Sequence, residues 1–275
     1  MRRLLLLFPI CLIIASDQLS TVLPPPVRRP LAASPTEAPL PTAAQFAELA
    51  KTEPIECVRA SLRKYRKEVH GLHGLMQKQE RLAGKLNPPE TIEFWYNDDP
   101  HKVFLAWRSK PSGQADRVLY VDGANDNQMF CHPASAIARA VVGNVVGRDP
   151  ESKEAKAGGR VSVGEFGLRK AAERQLGACE EAKKAGHLHL EYLGLKEIPE
   201  VNNRPHHMFL RLNELPEGPE KIRKVEFGLD AETWMQTVSH VYNGNEELLG
   251  AYFFKDIEIN PKFAEGQFEK SQLLK

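Results

Sequence analysis

The sequence predicts an α+β fold in which a curved antiparallel sheet, a half-barrel, carries helices on its concave side. Three observations lead there. Helical spacing comes first, then alternating strands, then one long helix, then strands again, an order typical of α+β domains. Several strands are apolar on both faces, as Phe104 beside Leu105 and Trp107, or Phe253 and Phe254 beside Leu249, and a flat sheet with one wet face does not need that. No repeat of solenoid or propeller length runs through the chain.

A helix is expected from Pro54 toward Tyr65, because Ile55, Val58, Leu62 and Tyr65 recur at helical spacing, with Thr52 as its N-cap. A shorter helix from Ala43 to Ala50 precedes it, broken at Pro54. The period then changes to two. Ile92, Phe94 and Tyr96 alternate with Thr91, Glu93 and Trp95; Val103, Leu105 and Trp107 alternate with Phe104 and Ala106. Val118 to Val121 continues the pattern, and Asp122-Gly123 turns the chain toward Met129 and Phe130. Ile137 to Val146 reads as a short helix and Arg148 to Gly159 as a solvent loop. Ser162 and Glu165 form the S-x-x-E pattern of a capping box before a long helix whose stripe is Leu168, Ala172, Leu176 and Cys179, ending at Gly186. Strands return through Leu188 to Tyr192, Met208 to Leu212 and Val225 to Leu229. Asn243-Gly244 joins the last two, Thr233 to Tyr242 and Glu246 to Ile259.

The 275 residues are 42% hydrophobic and 27% charged, a globular balance, with a formal net charge of +1. So small an excess argues against nucleic acid as a partner. Residues 1–16 read as a signal peptide: Arg2 and Arg3 precede an apolar run from Leu4 to Ala15, shorter than the about 20 residues a membrane span needs. The cleavage site at Ala15-Ser16 lacks a small residue two positions before Ala15, so cleavage and anchoring both stay open, as does transient membrane contact through this segment. Its removal takes the 37 basic residues to 35, against 36 acidic ones. Residues 17–42 carry Pro24, Pro25, Pro26, Pro30, Pro35, Pro39 and Pro41, the composition of a disordered linker. Residues 43–275 are expected to form one domain, exported to the periplasm or cell envelope. It would hold Cys57, Cys131 and Cys179, an odd number whose pairing sequence does not decide.

Several segments together resemble a family of exported bacterial proteins, domain of unknown function 1571. They are Lys102 to Gly113, Arg117 to Asp126, Gln79 to Leu86, Arg160 with Glu165 to Leu168, Asn203-Arg204-Pro205, and Phe254 to Pro261. The resemblance spans roughly residues 44–268 and implies a relation to the LolA/LolB lipoprotein carriers, an open antiparallel barrel covered by helices. It lends a fold, and function has to come from the site.

Chemistry is sparse. The chain has no G-x-S-x-G elbow, no H-E-x-x-H and no P-loop. His70 with His73, His187 with His189, and His206 with His207 are pairs that nothing closes into a metal set. Asp98-Asp99-Pro100-His101 reads as a turn, and Cys131-His132 as a thiol beside a base with no third group. No catalytic residue, metal or cofactor is therefore expected, although a metal-dependent or thiol hydrolase stays as a minor alternative. The aromatic residues are the better clue. Phe94, Trp95, Phe104, Trp107, Phe209, Trp234, Phe253 and Phe254 are candidates for lining an apolar cavity, with Arg108 and Arg211 as candidates for an anionic head group. The expected function is non-enzymatic binding of an apolar ligand, lipid or lipidated chain. The alternative is an envelope scaffold with a fully packed barrel that binds a protein partner.

Overall fold

The computed structural model describes residues 39–275, so the expected signal segment and most of the proline-rich linker lie outside the described residues. Residues Leu40–Lys275 form one compact unit. Its first helix, α1 (Ala43–Thr52), starts in a capping box in which Thr42 Oγ1 accepts from Gln45 N (3.2 Å) and Gln45 Oε1 accepts from Thr42 N (2.8 Å). Thr52 ends this helix rather than capping the next, its hydroxyl donating back to Glu48 O (3.0 Å). The break falls at Glu53 because a residue before proline is pushed out of the helical region, and Pro54 opens α2 (Pro54–Glu68) without needing an amide donor.

The chain then enters β1 (Gly71–Leu82), which the alternation argument missed, and a short β2 (Lys85–Leu86). β3 (Glu90–Asn97), β4 (Lys102–Trp107), β5 (Ala115–Val121), β6 (Met129–Pro133) and β7 (Val146–Arg148) follow as a meander. Between the last two lies α3 (Ala136–Val142), which buries none of its residues. After a short α4 (Lys153–Lys156) and the long α5 (Leu168–Lys184) come β8 (His189–Ile198), β9 (Arg204–Glu217), β10 (Ile222–Asp230), β11 (Gln236–Asn243) and β12 (Leu248–Ile259). The expected capping box at Ser162 does not form. Ser162 heads a single 3-10 turn, Glu165 pairs with Lys170 and Arg174, and α5 begins three residues later. Its N-cap is Gly167, at φ 120°, where a β-carbon would come within 2.7 Å of the Tyr96 ring, so close packing sets the helix start.

All twelve strands join one antiparallel sheet in the order β7-β6-β5-β4-β3-β1-β12-β11-β10-β9-β8, with β2 off the path beside β1. The ends do not pair, so the sheet is open. The two halves of the chain meet where β1 pairs β12, so a strand that alternation does not mark, and of which the family resemblance marks only the end at Gln79 to Leu86, is the centre of the fold. α1, α2 and α5 cover the inner face. Phe46, Cys57 and Val58 pack on Phe209, Phe227 and Trp234, and Tyr65 and Leu168 pack on Leu72, Phe94 and Tyr96. The expectation of an α+β fold with an open antiparallel sheet and helices on one side therefore holds.

Double-sided apolarity has a specific cause. The outer face is covered in two patches, by the carboxy-terminal Phe268 and Leu273 over Phe104, Leu119 and Phe130, and by Val201 beside Met208, Val238 and Phe253. Among the described residues no helix is long and apolar enough to cross a membrane.

The β10–β11 corner is held by Asp230. Its buried carboxylate accepts from Arg204 Nε (2.7 Å) and Nη2 (3.0 Å), Thr233 N (2.8 Å) and Thr233 Oγ1 (3.0 Å). Burial alone would raise its pKa, but the Arg204 and Thr233 hydrogen bonds outweigh this and hold it at about 2. A carboxyl depressed in the folded state stabilises the fold above its unfolded pKa, and that contribution fades as pH falls from about 4 toward 2. Asp230→Asn is expected to cost about 2 kcal/mol at pH 7, with the deficit shrinking below pH 4. Urea unfolding of both proteins at pH 7 and pH 3 checks this, and a deficit independent of pH contradicts it.

Candidate functional site

A cavity of about 720 Å³ lies between the inner face of the sheet and the segment 149–167 with the first turns of α5. That volume is in the range of small-molecule and lipid sites, roughly 300–1,000 Å³. Its walls include Val146 of β7 at one end of the sheet and Arg211 of β9 near the other. Nine strand spacings separate those strands, about 43 Å if the sheet were flat. One cavity of this size touches both only because the sheet curls around it.

The deeper wall is apolar: Met76, Ile92, Leu105, Val118, Met129 and Phe254 all point inward from alternate strand positions. Exposed Ser135, Val142 and Val161 mark the rim, where α3 also presents Ile137 and Val141 to solvent. The segment expected to be a plain solvent loop, 148–159, thus forms part of the cavity wall.

A buried polar band crosses the same surface. Lys78 Nζ donates to Glu80 Oε2 (2.7 Å) and pairs with Glu90 Oε2 (3.3 Å). Glu90 also accepts from Trp107 Nε1 (3.2 Å) and from the Ser112 amide. Glu80 Oε1 accepts from the Tyr252 hydroxyl (2.7 Å) and from Arg160 N (3.3 Å), and Arg160 Nη1 donates to the Tyr252 oxygen (3.1 Å). Burial and the neighbouring Glu80 raise the Tyr252 pKa, so it stays a neutral donor. Burial opposes the Arg160 charge, yet bidentate bonds to Glu220 (2.7 and 2.6 Å) outweigh it and its pKa is raised. Such a network holds the 149–167 segment against the sheet. Its members are held chiefly by bonds to one another.

The sequence candidates separate into four places. Trp107, Phe254 and Arg211 line the cavity. Phe94 lies just beneath, its ring 5.7 Å from Phe254 and 5.8 Å from Phe166. Phe209 and Trp234 fill the core under α1 and α2, with Trp234 stacked on Phe46 at 4.3 Å. Trp95, Phe104 and Phe253 belong to the outer face. Arg108 sits just past β4, exposed and paired with Glu93. Lys78, Glu80, Glu90 and Tyr252 were missed as site residues. Glu80 did stand in one of the motifs that carried the family resemblance, and so did Arg160.

Other titratable residues singled out in the sequence have structural partners. Neighbouring strand residues face opposite ways, so Cys131 packs in the inner core while His132 bonds Asp116 (2.6 Å). His206 is fully buried on Thr237 Oγ1 (2.7 Å) and His207 on the Tyr192 hydroxyl (3.0 Å), with their pKa values lowered by burial. Asp98 is held by Tyr96 and by Arg169 (2.8 Å). Among the described residues no three His, Cys, Asp or Glu side chains gather as a metal set.

All three described cysteines are buried and unpaired. Burial pushes the Cys57 thiol up to about 12 and Cys131 and Cys179 to about 11. They are protonated at neutral pH and poor nucleophiles. Cys57 and Cys179, both fully buried, are expected to react with a thiol reagent at pH 8 only as fast as the protein unfolds. Immediate labelling of either in native buffer contradicts this.

Fold and site together define an open-sheet α+β protein with one large amphipathic cavity. The chain belongs to the family described as protein of unknown function (DUF1571), whose match covers residues 69–272. Comparison with curated sequences finds no match. Among solved structures, the Pseudomonas aeruginosa MucA/MucB complex is similar at a TM-score of 0.46 and 15% identity over 80% of this chain and 62% of that one. This chain thus spans less than two thirds of MucB. The Mycobacterium tuberculosis lipoprotein LppX aligns at 0.42 and 10% over 77% and 98% of the two chains. A LolA superfamily protein from Nitrosomonas europaea aligns at 0.35 and 8% over 78% and 98%. These are distant likenesses, every TM-score being below 0.5.

Proposed function

We propose that this protein is a non-enzymatic envelope protein that binds an acyl chain, of a lipid or a lipidated polypeptide, in the cavity under segment 149–167. The observation that carries the reading is the unfilled space of about 720 Å³ walled by Met76, Ile92, Leu105, Val118 and Met129. A scaffold would gain by packing such a space, since voids in a core cost stability. Each buried methylene contributes about 0.8 kcal/mol, against several kcal/mol of freedom lost on binding. Chains of four or five carbons therefore fall short, while chains of twelve or more bind. Export fits the basic and apolar start of the chain, Arg2 to Ala15, which would bring the domain to a lipid-rich compartment.

Displacement of a fluorescent acyl probe by carboxylic acids of increasing length tests this. Affinity is expected to rise about fourfold per methylene and then level off as the cavity fills. Affinity independent of chain length overturns the reading.

A further inference from the structure

Among the arginines that line the cavity, Arg160 and Arg211 are both paired with carboxylates of one hairpin tip, and Glu217 of that tip reaches the cavity wall itself. The side chains of Arg160 and Arg211 are each only 6% exposed. Their carboxylates, Glu220 and Glu217, are 37% and 44% exposed and belong to the tip joining β9 to β10. Arg211 Nη2 donates to Glu217 (2.8 Å), while Arg211 Nε, fully buried, has no partner. A buried donor without an acceptor is costly, and such groups in native proteins call for an explanation.

Sheet register shows how the two are set. Glu80, Gly250, Val241, Val225 and Arg211 pair in one row across five adjacent strands. The Arg160 guanidinium sits over Gly250, where a β-carbon would come within 2.5 Å of Nη1. Valines 241 and 225 fill the floor between the two cations, and both line the cavity. The row is therefore an apolar strip with a buried cation near each end, and one acidic hairpin tip answers both from the solvent side.

We infer that Glu217 and Glu220 act as a built-in stand-in for an anionic head group, and that the ligand is an amphiphile with a carboxylate or phosphate that takes Arg160 and Arg211 from them. This rests on the acyl-chain reading above and names the ligand's polar end. Charge-assisted bidentate bonds suit a guanidinium to either anion. The exchange keeps an anion beside the buried guanidinium groups and supplies an acceptor for Arg211 Nε. Released from its arginines, the 217–222 tip keeps its Asn213 bonds but loses its ties to the cavity wall, and so loosens.

Hexadecanoate, hexadecyl phosphate, hexadecanol and hexadecyltrimethylammonium share one chain and differ at the head. The anions are expected to bind about tenfold or more tighter than the alcohol, and the cation weakest. The better of the two anions distinguishes a carboxylate from a phosphate source. Glu217→Gln with Glu220→Gln is expected to raise the ratio of anion to alcohol affinity, and Arg211→Gln to lower it toward one. Amide exchange at residues 217–222 is expected to quicken with a bound anion and not with the alcohol. If all four bind equally, the acyl cavity stands and this inference falls. If none binds, the acyl-chain reading itself fails. A cation preference, or an anion preference unmoved in both variants, overturns the stand-in.

Discussion

Val118→Trp is expected to weaken acyl-chain binding about tenfold or more while the protein still folds. Val118 faces the cavity from the middle of β5, paired with Leu105 on one side and Cys131 on the other. In a filled core such a substitution forces neighbours off their rotamers and destabilises by about 1–3 kcal/mol. Here the indole has empty space to enter, so the cost moves from stability to binding. Losing the site of two or three methylenes removes about 2 kcal/mol of ligand burial. Probe titration and urea unfolding, run on the same preparation, separate the two effects. Strong destabilisation with undiminished binding contradicts the placement of the ligand.

The largest stability effect is expected at Lys78. Its ammonium lies between Glu80 and Glu90, all three buried in the cavity wall. Lys78→Met leaves two carboxylates facing each other without their shared cation, and breaking a buried pair from one side costs about 3–5 kcal/mol. Adding Glu80→Gln and Glu90→Gln is expected to restore most of that loss, because the penalty comes from uncompensated charge. Chemical denaturation of the single and triple variants decides it. A single variant within 1 kcal/mol or so of the parent sinks the account of the polar band, since surface pairs behave that way.

The same band explains what sequence reasoning found and what it missed. β3, β4, β5 and the last five strands were legible because their inward residues are aromatic or β-branched and their turns carry Asp122-Gly123 or Asn243-Gly244. β1 was not. Its inward positions include Gly74, Lys78 and Glu80, so half of the central strand carries no apolar alternation although it is buried. Partners for those charges come from residues up to 172 positions away, as Tyr252 does for Glu80, and no local window holds that information. The aromatic candidates were sound as core residues, but a strand pattern does not tell the inner face from an outer face covered by Leu273 or Val201. Arg211 was distinguishable from Arg108 only through register, since one points under α5 and the other lies beyond its strand end.

Segment 149–167 shows the opposite lesson. Its first part, to Gly159, reads as a solvent loop, its Ser162 and Glu165 as a capping box, and much of it is half-exposed. Yet Arg160 ties it to Glu80, Tyr252 and Glu220, and Phe166 and Gly167 close it onto Phe94 and Tyr96. Its role comes from contacts with β1, β12 and the β9–β10 tip, which the chain places far off in sequence.

Photocrosslinking with a diazirine-bearing hexadecanoate, followed by peptide mapping, tests the central claim most directly. The acyl label is expected on the inward residues of β1, β3, β5 and β6, at Met76, Ile92, Val118 and Met129, and competition by unlabelled hexadecanoate is expected to abolish it. Label confined to exposed α3 or the chain ends, or insertion that no competitor displaces, would mean that the interior of this curled sheet does not hold an acyl chain.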